Sequence, residues 1–445
     1  MYDMLYTYQK HIVDELKDFS SSALFMDVGT GKSITSLALF ENKLLNKKVD
    51  KLIIVCLCAK INEWKQDCEK FFPLFDIVVA DNKTKSRIDR KDYDILIINF
   101  EKTWRFNELL RTDDKTMIII DESHKIKEPT TKVGKFMQML GSCTPYKLIL
   151  TATPMNNGYI DLYNQLYFLG LTGLSFNGFK ERYCIERLQY IAGMKPFKQI
   201  IGYKHQEELD VLINKYARYY ERKLNDDLVP SEIVIPVELD KNYYKIARDR
   251  VYKDIVLDKP SSKRLALKSL CSGSIIGKAI QDDYGNLDRY YQLNNYKLEW
   301  VKSFLENFNE RVVIFYMYDH QRDDLYNMIT KLKRPCARYC GAYKEQDIFD
   351  KNSNAVCLVQ YKSGSTGVDW LKQSYIGIFY CLPDSYVDFY QAKGRLNRVG
   401  QTKKPLYYIL LANGSSNVDS LNYKALCEEQ DFNDEFFMKN FDKLD

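Results

Sequence analysis

Short apolar runs alternate with longer amphipathic segments through the first 150 residues of this chain. The runs are rich in isoleucine, valine and leucine, which is typical of strands buried in a parallel sheet. Predicted strands occupy 23–26, 51–56, 76–80, 94–99, 117–121 and 147–150, and predicted helices begin near residues 5, 32 and 61. This alternation predicts an α/β fold with a doubly wound parallel sheet, in which ligands bind at the carboxyl ends of the strands.

Aromatic side chains at helical spacing dominate residues 155–229, as at Tyr159, Tyr163 and Tyr167. They indicate a helical insertion whose aromatic face either packs in a core or stacks on bases. Residues 230–295 are polar and basic and predict a helical connector, whereas apolar runs return at 311–316, 355–360 and 376–381. The predicted organisation is therefore an α/β domain at 1–229 that includes the insertion, the connector 230–295, and a second α/β domain at 296–445.

Length and composition are those of a globular protein with more than one domain. A length of 445 residues suffices for two or three domains, and 45% hydrophobic and 28% charged residues are typical of a globular protein in water. No apolar run reaches membrane-spanning length and no signal peptide is recognised, so a cytoplasmic protein without membrane contact is expected. The net charge of +5, from 65 basic and 60 acidic residues, permits binding to nucleic acid without requiring it.

A glycine loop follows the first predicted strand, with the sequence Gly29-Thr30-Gly31-Lys32-Ser33. Glycines allow backbone N–H groups to converge on phosphate, and the N-terminus of the following helix adds a favourable field. In such a loop the lysine reaches the β- and γ-phosphates and the serine hydroxyl is a ligand of Mg²⁺. Met26 stands where the longer P-loop pattern has its first glycine. The segment predicts a nucleotide site that uses ATP and Mg²⁺.

Two adjacent carboxylates, Asp121 and Glu122, close the apolar run 117–120 and precede Ser123 and His124. Hydrolysis of a nucleotide requires one carboxylate to hold Mg²⁺ and a second to orient or deprotonate the attacking water. Such a pair alone could equally belong to an exposed turn. The glycine loop about ninety residues upstream favours the catalytic interpretation.

Three further residues are candidates for contacts with the nucleotide. Gln9 offers both a donor and an acceptor, which suits the edge of adenine, although it could also be a solvated glutamine on a helix. Arg395 and Arg398 are three residues apart on a predicted helix and therefore share one face. Guanidinium groups there could neutralise charge on a γ-phosphate, or they could be surface residues.

Together these segments resemble the motor of superfamily-two helicases, most closely its Swi/Snf branch. The segments that carry the resemblance are 5–9 (Q motif), 27–33 (motif I), 121–124 (motif II), 151–154 (motif III), 363–369 (motif V) and 391–401 (motif VI). They follow the family's order over nearly the whole chain. The resemblance implies two RecA-like domains. Leu57 and Ala59 depart from the proline and serine that motif Ia usually carries.

The resemblance also implies roles for individual residues. The cofactor-binding residues would be Gln9, Gly29, Thr30, Gly31, Lys32, Ser33, Asp121, Gly367 and Asp369, with Ser33 and Asp121 on the metal. The catalytic residues would be Glu122 as base, Asp121, Lys32, Arg395 and Arg398, the two arginines completing the site across the cleft between the domains. Thr151, Thr153 and Gln391 would couple hydrolysis to domain movement. Asn62, Ser363 and Ser365 would contact the backbone of one DNA strand.

The function expected from this resemblance is an ATP-dependent DNA translocase or helicase. Duplex DNA is favoured over single strands as the partner, because motors of this branch usually track duplex DNA without separating its strands. A monomer of phage or bacterial origin is expected, with replication, recombination or repair proteins as possible partners. The alternatives are an ATP-gated DNA-binding or loading factor that does not travel, and the motor subunit of a restriction system.

Overall fold

The computed structural model describes residues 1–155, 158–189, 197–221, 228–253, 255–257, 259–278, 288–361, 369–398, 400–414 and 417–441. The chain divides into two compact units, residues 1–223 and 224–445. Each unit contains one large parallel β-sheet.

In unit 1, the strands of the sheet alternate with helices along the chain. Its strands are β1 Ser21–Met26, β2 Lys51–Cys56, β3 Ile77–Val79, β4 Ile95–Asn99, β5 Thr116–Asp121, β6 Lys147–Thr151, β7 Cys184–Gln189, β8 Phe197–Tyr203 and β9 Ala217–Tyr220. Its helices are α1 Thr7–Leu16, α2 Lys32–Leu45, α3 Ile61–Phe71, α4 Lys85–Asp89, α5 Phe100–Thr103, α6 Lys132–Gly141, α7 Tyr163–Leu169, α8 Phe176–Tyr183 and α9 Gln206–Tyr216. Short 3₁₀ turns include Cys58–Lys60 and Ser123–Ile126.

The sheet of unit 1 has the strand order β3-β4-β2-β5-β6-β1-β9, and all of its strand pairs are parallel. Alternate residues of each strand enter separate apolar cores on the two faces of the sheet, as Ile118 and Ile119 do. Because helices cover both faces, the strands consist of continuous apolar runs. This is the RecA-like, doubly wound arrangement that the sequence predicts, and the predicted fold class is confirmed.

Unit 2 repeats this plan with additional small elements. Its helices are α10 Tyr243–Asp249, α11 Pro260–Leu270, α12 Tyr296–Asn307, α13 Asp319–Lys331, α14 Gln346–Lys351, α15 Tyr386–Leu396, α16 Val418–Cys427 and α17 Asp434–Phe441. Its strands are β10 Ser231–Val237, β11 Val251–Tyr252, β12 Ile255–Val256, β13 Ser274–Lys278, β14 Asp288–Gln292, β15 Val312–Tyr316, β16 Cys336–Tyr339, β17 Val356–Gln360, β18 Ile376–Phe379 and β19 Leu406–Ala412. Across the described ranges of both units, no helix combines the length and the apolar character that crossing a membrane requires.

The segment 230–295 contains more strand than the expected helical connector. Its first element, β10, pairs in parallel with β19 at the edge of the sheet order β10-β19-β18-β15-β17-β16. Pro236 lies within β10, and proline is compatible with a strand only at such an edge or at a bulge. The helices α10 and α11 are separated by the β11–β12 pair, and residues of both helices share an apolar cluster with α16 and α17.

The segment 155–229 also differs from a purely helical insertion. Helices α7, α8 and α9 are present, but β7 and β8 form an antiparallel hairpin after α8, and β9 joins the main sheet beside β1. The aromatic residues Tyr163 and Phe168 are buried in the core of unit 1, which agrees with the packing interpretation of their helical spacing.

A buried ion pair fastens α12 to α16 in unit 2, and we expect its loss to destabilise the protein. Lys297 Nζ lies 2.7 Å from Asp419 Oδ2, and both side chains are 1% exposed. Burial alone lowers the pKa of Lys297, but the Asp419 carboxylate outweighs burial and raises that pKa. Asp419→Ala therefore leaves an uncompensated buried charge and should lower the free energy of unfolding by about 3–5 kcal/mol, measured by urea denaturation.

Glu306→Ala is the matched control for Asp419→Ala, because it removes an exposed ion pair with Lys302 on the same helix. Its expected cost is below about 1 kcal/mol. Equal effects of the two variants would contradict the role assigned to the buried pair.

Candidate active site

The glycine loop joins β1 to α2 and takes a backbone shape that requires glycine. Gly29 and Gly31 have φ angles of +78° and +79°, in the left-handed region. A Cβ atom at residue 31 would also lie 2.3 Å from Nε2 of Gln9. Thr30 closes the loop, since its hydroxyl donates to the Asp27 carbonyl at 2.7 Å. The loop therefore ends at the first turn of α2, where unpaired backbone N–H groups can bind phosphate.

Lys32 and Ser33 form the first turn of α2, as the sequence predicts. The Lys32 ammonium donates to the carbonyls of Met26 and Asp27, at 2.8 and 3.0 Å. Burial lowers the pKa of Lys32, although the charges of Glu122 and Asp121 act in the opposite direction. The lysine is thus held at the start of the loop within electrostatic range of both carboxylates.

Asp121 ends β5, and its carboxylate is buried. Its Oδ2 accepts a hydrogen bond of 2.9 Å from the indole Nε1 of Trp64, a residue that is itself 1% exposed. Burial raises the pKa of Asp121, and the neighbouring charge of Glu122 raises it further, whereas Lys60 and Lys32 act against this. A buried carboxylate is suited to bind a cation, because a paired charge offsets the cost of burying it.

Glu122 follows with φ +58° and ψ +55°, a left-handed conformation that costs a residue other than glycine about 1–2 kcal/mol. Such strain is concentrated at functional sites. Its Oε2 lies 3.3 Å from Nδ1 of His124. Burial raises the pKa of Glu122, but His124 and Lys32 lower it by more, so the carboxylate is ionised at neutral pH. An ionised carboxylate can accept a hydrogen bond from an attacking water.

Hydrogen bonds connect this acidic turn to the Thr151–Pro154 segment after β6. His124 Nδ1 lies 3.2 Å from Oγ1 of Thr151, and that oxygen also accepts from the Thr153 amide at 3.1 Å. A second connection runs through Gln165 of α7, which accepts from the Ser123 hydroxyl at 2.7 Å and donates to the Pro154 carbonyl at 2.9 Å. Thr151 is therefore in contact with the turn that carries Glu122.

Helix α1 and strand β9 anchor the glycine loop from the side. Gln9 is 2% exposed, its Oε1 accepts from the Tyr6 amide, and its Nε2 donates to the Thr30 carbonyl at 3.0 Å. The Tyr8 hydroxyl donates to the same carbonyl at 2.8 Å, and its ring stacks on Tyr220 with centroids 3.8 Å apart. The Tyr220 carbonyl accepts from the Asp27 amide at 3.0 Å. Gln9 thus supports the loop, and its contact with adenine stays a prediction.

Strand order explains why these distant segments meet. Strands β5, β6 and β1 are parallel neighbours, so their carboxyl ends lie side by side at the same end of the sheet. In the register of the sheet, Asp121 is opposite Leu150 and Thr151 is opposite Phe25. The predicted catalytic residues of unit 1 are therefore brought together by the sheet itself.

The predicted residues of unit 2 lie on and just after α15. Gln391 and Arg395 are buried on this helix, and Arg398 follows its end with Nε–H donating to the Gly394 carbonyl at 3.1 Å. Gln401, which ends motif VI, donates through Nε2 to the carbonyls of Lys372, Ser374 and Leu396. The structure assigns Gln401 to fastening the segment after α15, a role that the sequence did not indicate.

The remaining predicted residues are those of motif V and the proposed DNA contacts. Ser363, Ser365 and Gly367 lie outside the described residues, and so does the side chain of Asp369, whose backbone begins a 3₁₀ turn. Asn62 is exposed in the first turn of α3. An exposed amide at a helix N-terminus is compatible with a phosphate contact, which stays a prediction.

The residues of unit 1 fit a bound magnesium ion. Mg²⁺ prefers oxygen ligands and is usually held by one or two protein groups together with phosphate and water. The Asp121 carboxylate and the Ser33 hydroxyl offer such oxygens. In the described part of the chain, no three His, Cys, Asp or Glu side chains are grouped as metal ligands.

Three residues that the sequence did not single out belong to this site: Trp64, Lys60 and Gln165. Trp64 and Lys60 follow β2 at the same sheet edge, where the charge of Lys60 acts on Asp121. A search for polar groups after each strand could have found Lys60. Gln165 lies within an aromatic helix and carries no comparable signal.

Comparisons with known proteins agree with this geometry. Residues 8–270, more than half of the chain, match the model of the SNF2-related domain. The DNA repair and recombination protein RDH54 of Saccharomyces cerevisiae (strain JAY291) is 25% identical, with 91% of this chain and 50% of that protein covered. The CHD3-type chromatin-remodeling factor PICKLE of Arabidopsis thaliana is 22% identical, with 87% and 31% covered.

An uncharacterized ATP-dependent helicase of Mycoplasma pneumoniae is 24% identical, with 87% of this chain and 37% of that protein covered. The chain therefore spans half or less of the length of these relatives. Among solved structures, the Sulfolobus solfataricus SWI2/SNF2 ATPase core in complex with dsDNA is 20% identical, with 99% of this chain and 93% of that chain covered and a TM-score of 0.45.

The family model covers the glycine loop, the acidic turn and the segment after β6, which are the parts of unit 1 that form the site. The chain belongs to the SNF2-related family.

Proposed function

We propose that this protein hydrolyses ATP in a DNA-dependent manner and uses the reaction to translocate along duplex DNA. One observation carries the proposal: Lys32, Asp121 and Glu122 lie at one edge of the unit 1 sheet of an SNF2-related protein, within electrostatic range of one another. A half-buried lysine at a P-loop, within electrostatic range of two carboxylates, provides the groups that phosphoryl transfer to water requires.

In this mechanism each residue of unit 1 has one task. The backbone N–H groups of the glycine loop and the Lys32 ammonium would bind the phosphates, while Ser33 and Asp121 would hold Mg²⁺. When bound there, the metal would supply positive charge to the phosphate oxygens. Glu122 orients the attacking water through its ionised carboxylate. The contact of His124 with Thr151 transmits the change at the acidic turn to the segment after β6.

The proposed partner is duplex DNA, and the proposed setting is replication, recombination or repair in a phage or bacterium. Relatives named as a DNA repair and recombination protein and a chromatin-remodeling factor support a function on DNA. Asn62, Ser363 and Ser365 are the proposed contacts with one strand's backbone, and such contacts weaken with salt. We propose that the protein acts as a monomer beside other replication or recombination proteins.

Steady-state hydrolysis of ATP with no nucleic acid, single-stranded DNA, duplex DNA or RNA tests this function. Strong stimulation by duplex DNA is the expected result, and displacement of a third strand from a triplex would then demonstrate travel. Stimulation by single strands alone would favour strand separation. Duplex stimulation without triplex displacement would indicate an ATP-gated binding factor, and no stimulation at all would contradict the proposal.

Arg398→Ala tests the proposed role of unit 2 in the same reaction. We expect turnover to fall about 10³-fold with little change in ATP affinity, because an arginine that stabilises the transferring phosphate acts chiefly in the transition state. Turnover and equilibrium binding of a fluorescent ATP analogue are measured side by side. Arg398→Lys is the matched control, since it keeps the charge but loses the planar fork and should recover only part of the rate.

The opposite pattern in Arg398→Ala would contradict this role. If ATP binding is lost together with turnover, the arginine supports the fold around α15 rather than the reaction.

A further inference from the structure

A hydrogen bond connects the helix that carries the predicted DNA contact with the carboxylate that is predicted to bind the metal. The indole Nε1 of Trp64 donates to Oδ2 of Asp121 at 2.9 Å, although the two residues are 57 positions apart. Trp64 is 1% exposed and Asp121 is 5% exposed. A charge-assisted hydrogen bond in such a dry environment is stronger than one in water.

This bond determines the orientation of the carboxylate. When Oδ2 accepts from a fixed indole, rotation of the Asp121 side chain would break the bond and leave a buried donor without a partner. One oxygen of Asp121 therefore accepts the hydrogen bond from Trp64, and this bond holds the carboxylate in one orientation relative to the glycine loop. Groups that orient a metal ligand in this manner typically change metal affinity 10–100-fold when removed.

The other end of the connection is buried but lies next to an exposed residue. Trp64 lies in the first turn of α3, two residues after the exposed Asn62, and α3 begins directly after the Cys58–Lys60 turn. On its buried side, Trp64 belongs to the apolar core that also contains Leu37 and Phe40 of α2, the helix that begins at Lys32. The first turn of α3 is therefore in contact with the metal carboxylate and the P-loop helix and is also accessible to a DNA backbone.

A phosphate bound at this turn would change the contacts of its polar residues. Lys60 Nζ is held 2.5 Å from Oε2 of Glu63, while Oε1 of Glu63 is buried and has no hydrogen-bond partner among the described residues. The charge of Lys60 acts on Asp121 and on Glu122. A phosphate bound beside Lys60 would compete with Glu63 for the ammonium and alter the position of the turn that carries Trp64.

We propose that Trp64 is a positioning residue through which DNA bound at the first turn of α3 changes the affinity of Asp121 for the magnesium ion of the ATP site. This inference rests on the proposed DNA-dependent function and adds the route by which DNA stimulates it. Because coupling between two sites is reciprocal, magnesium-bound nucleotide should also strengthen the binding of DNA.

The test compares Trp64→Phe with the wild-type protein. Phenylalanine keeps an aromatic ring in the core and removes the N–H group. Binding of a fluorescent, non-hydrolysable ATP analogue is titrated with Mg²⁺ in the absence and presence of duplex DNA. In the wild-type protein, DNA should lower the Mg²⁺ concentration at half-saturation. In Trp64→Phe, this concentration should rise about 10-fold without DNA and should no longer respond to DNA.

Trp300→Phe is the matched control, since it makes the same change in unit 2, where the indole packs on Phe304 and Tyr408. It should retain the wild-type Mg²⁺ and DNA responses. Thermal unfolding verifies that the variants are folded. Trp64→His, whose ring retains an N–H donor, should recover part of the Mg²⁺ affinity. If Trp64→Phe does not fold, Trp64→Leu replaces it, since leucine also fills apolar space and has no donor.

Two results would overturn the proposal. An unchanged Mg²⁺ half-saturation in Trp64→Phe would show that the indole does not orient Asp121, and a raised half-saturation that still responds to DNA would show that the signal takes another route. If DNA has no effect on the wild-type protein, the DNA-dependent function fails instead, while the titration without DNA still decides whether Trp64 positions Asp121.

Discussion

Lys32→Ala should reduce ATP hydrolysis to the level of a blank without protein, both with and without DNA. The lysine is the only cation in the first turn of α2, and its ammonium is held at the loop by the carbonyls of Met26 and Asp27. Its removal leaves the β- and γ-phosphates without the positive charge held at the loop, and water replaces a lost charge interaction only in part at such a half-buried position. The measurement is phosphate release over a wide range of ATP concentrations.

Lys43→Ala is the matched control for this loss. Lys43 lies on the same helix, is 2% exposed, and also donates to two backbone carbonyls, those of Lys17 and Phe19. It is at the far end of α2, so its removal should lower the stability of the protein while the folded fraction retains its turnover. Hydrolysis at the wild-type rate in Lys32→Ala would refute the assignment of the nucleotide site.

Glu122→Gln should slow hydrolysis by about 10⁴-fold while leaving the binding of ATP intact. Glutamine has nearly the same shape and can occupy the same left-handed backbone position, but it has no charge with which to orient and polarise the attacking water. The variant should therefore retain ATP in the site. Single-turnover hydrolysis and equilibrium nucleotide binding, measured on the same preparation, separate the two effects.

Glu128→Gln provides the same chemical change on an exposed side chain six residues further along the chain, and its turnover should match that of the wild-type protein. A wild-type hydrolysis rate in Glu122→Gln would mean that another group activates the water. Loss of ATP binding in Glu122→Gln would mean that this carboxylate supports the site rather than the chemistry.

The parts of this fold that could be predicted are those whose signal is local. The predicted strand 51–56 coincides with β2, because a buried parallel strand must be a continuous apolar run. The glycine loop and the acidic turn lie at the carboxyl ends of the strands, as predicted. The loop could be recognised because glycine at residues 29 and 31 is required by positive φ angles. These signals need no knowledge of the rest of the chain.

The parts that could not be predicted depend on contacts between distant residues. Strand β10 contains a proline and forms because it pairs at the edge of the sheet with β19, which lies 175 residues later in the chain. The bond from Trp64 to Asp121 likewise depends on the neighbouring positions of β2 and β5. Neither pairing produces a periodic pattern in the sequence. Each partner, read alone, is also compatible with a different environment, so the sequence does not indicate the contact.

The position of β9 has a consequence for how the glycine loop responds to force. This strand is the last element described in unit 1, and its final residue, Tyr220, is bonded to Asp27 and stacked on Tyr8, which contacts Thr30. The strand that ends the described part of unit 1 is therefore bonded to the glycine loop. A force on Tyr220 would act first on the hydrogen bond from the Asp27 amide to the Tyr220 carbonyl, and through it on the shape of the loop.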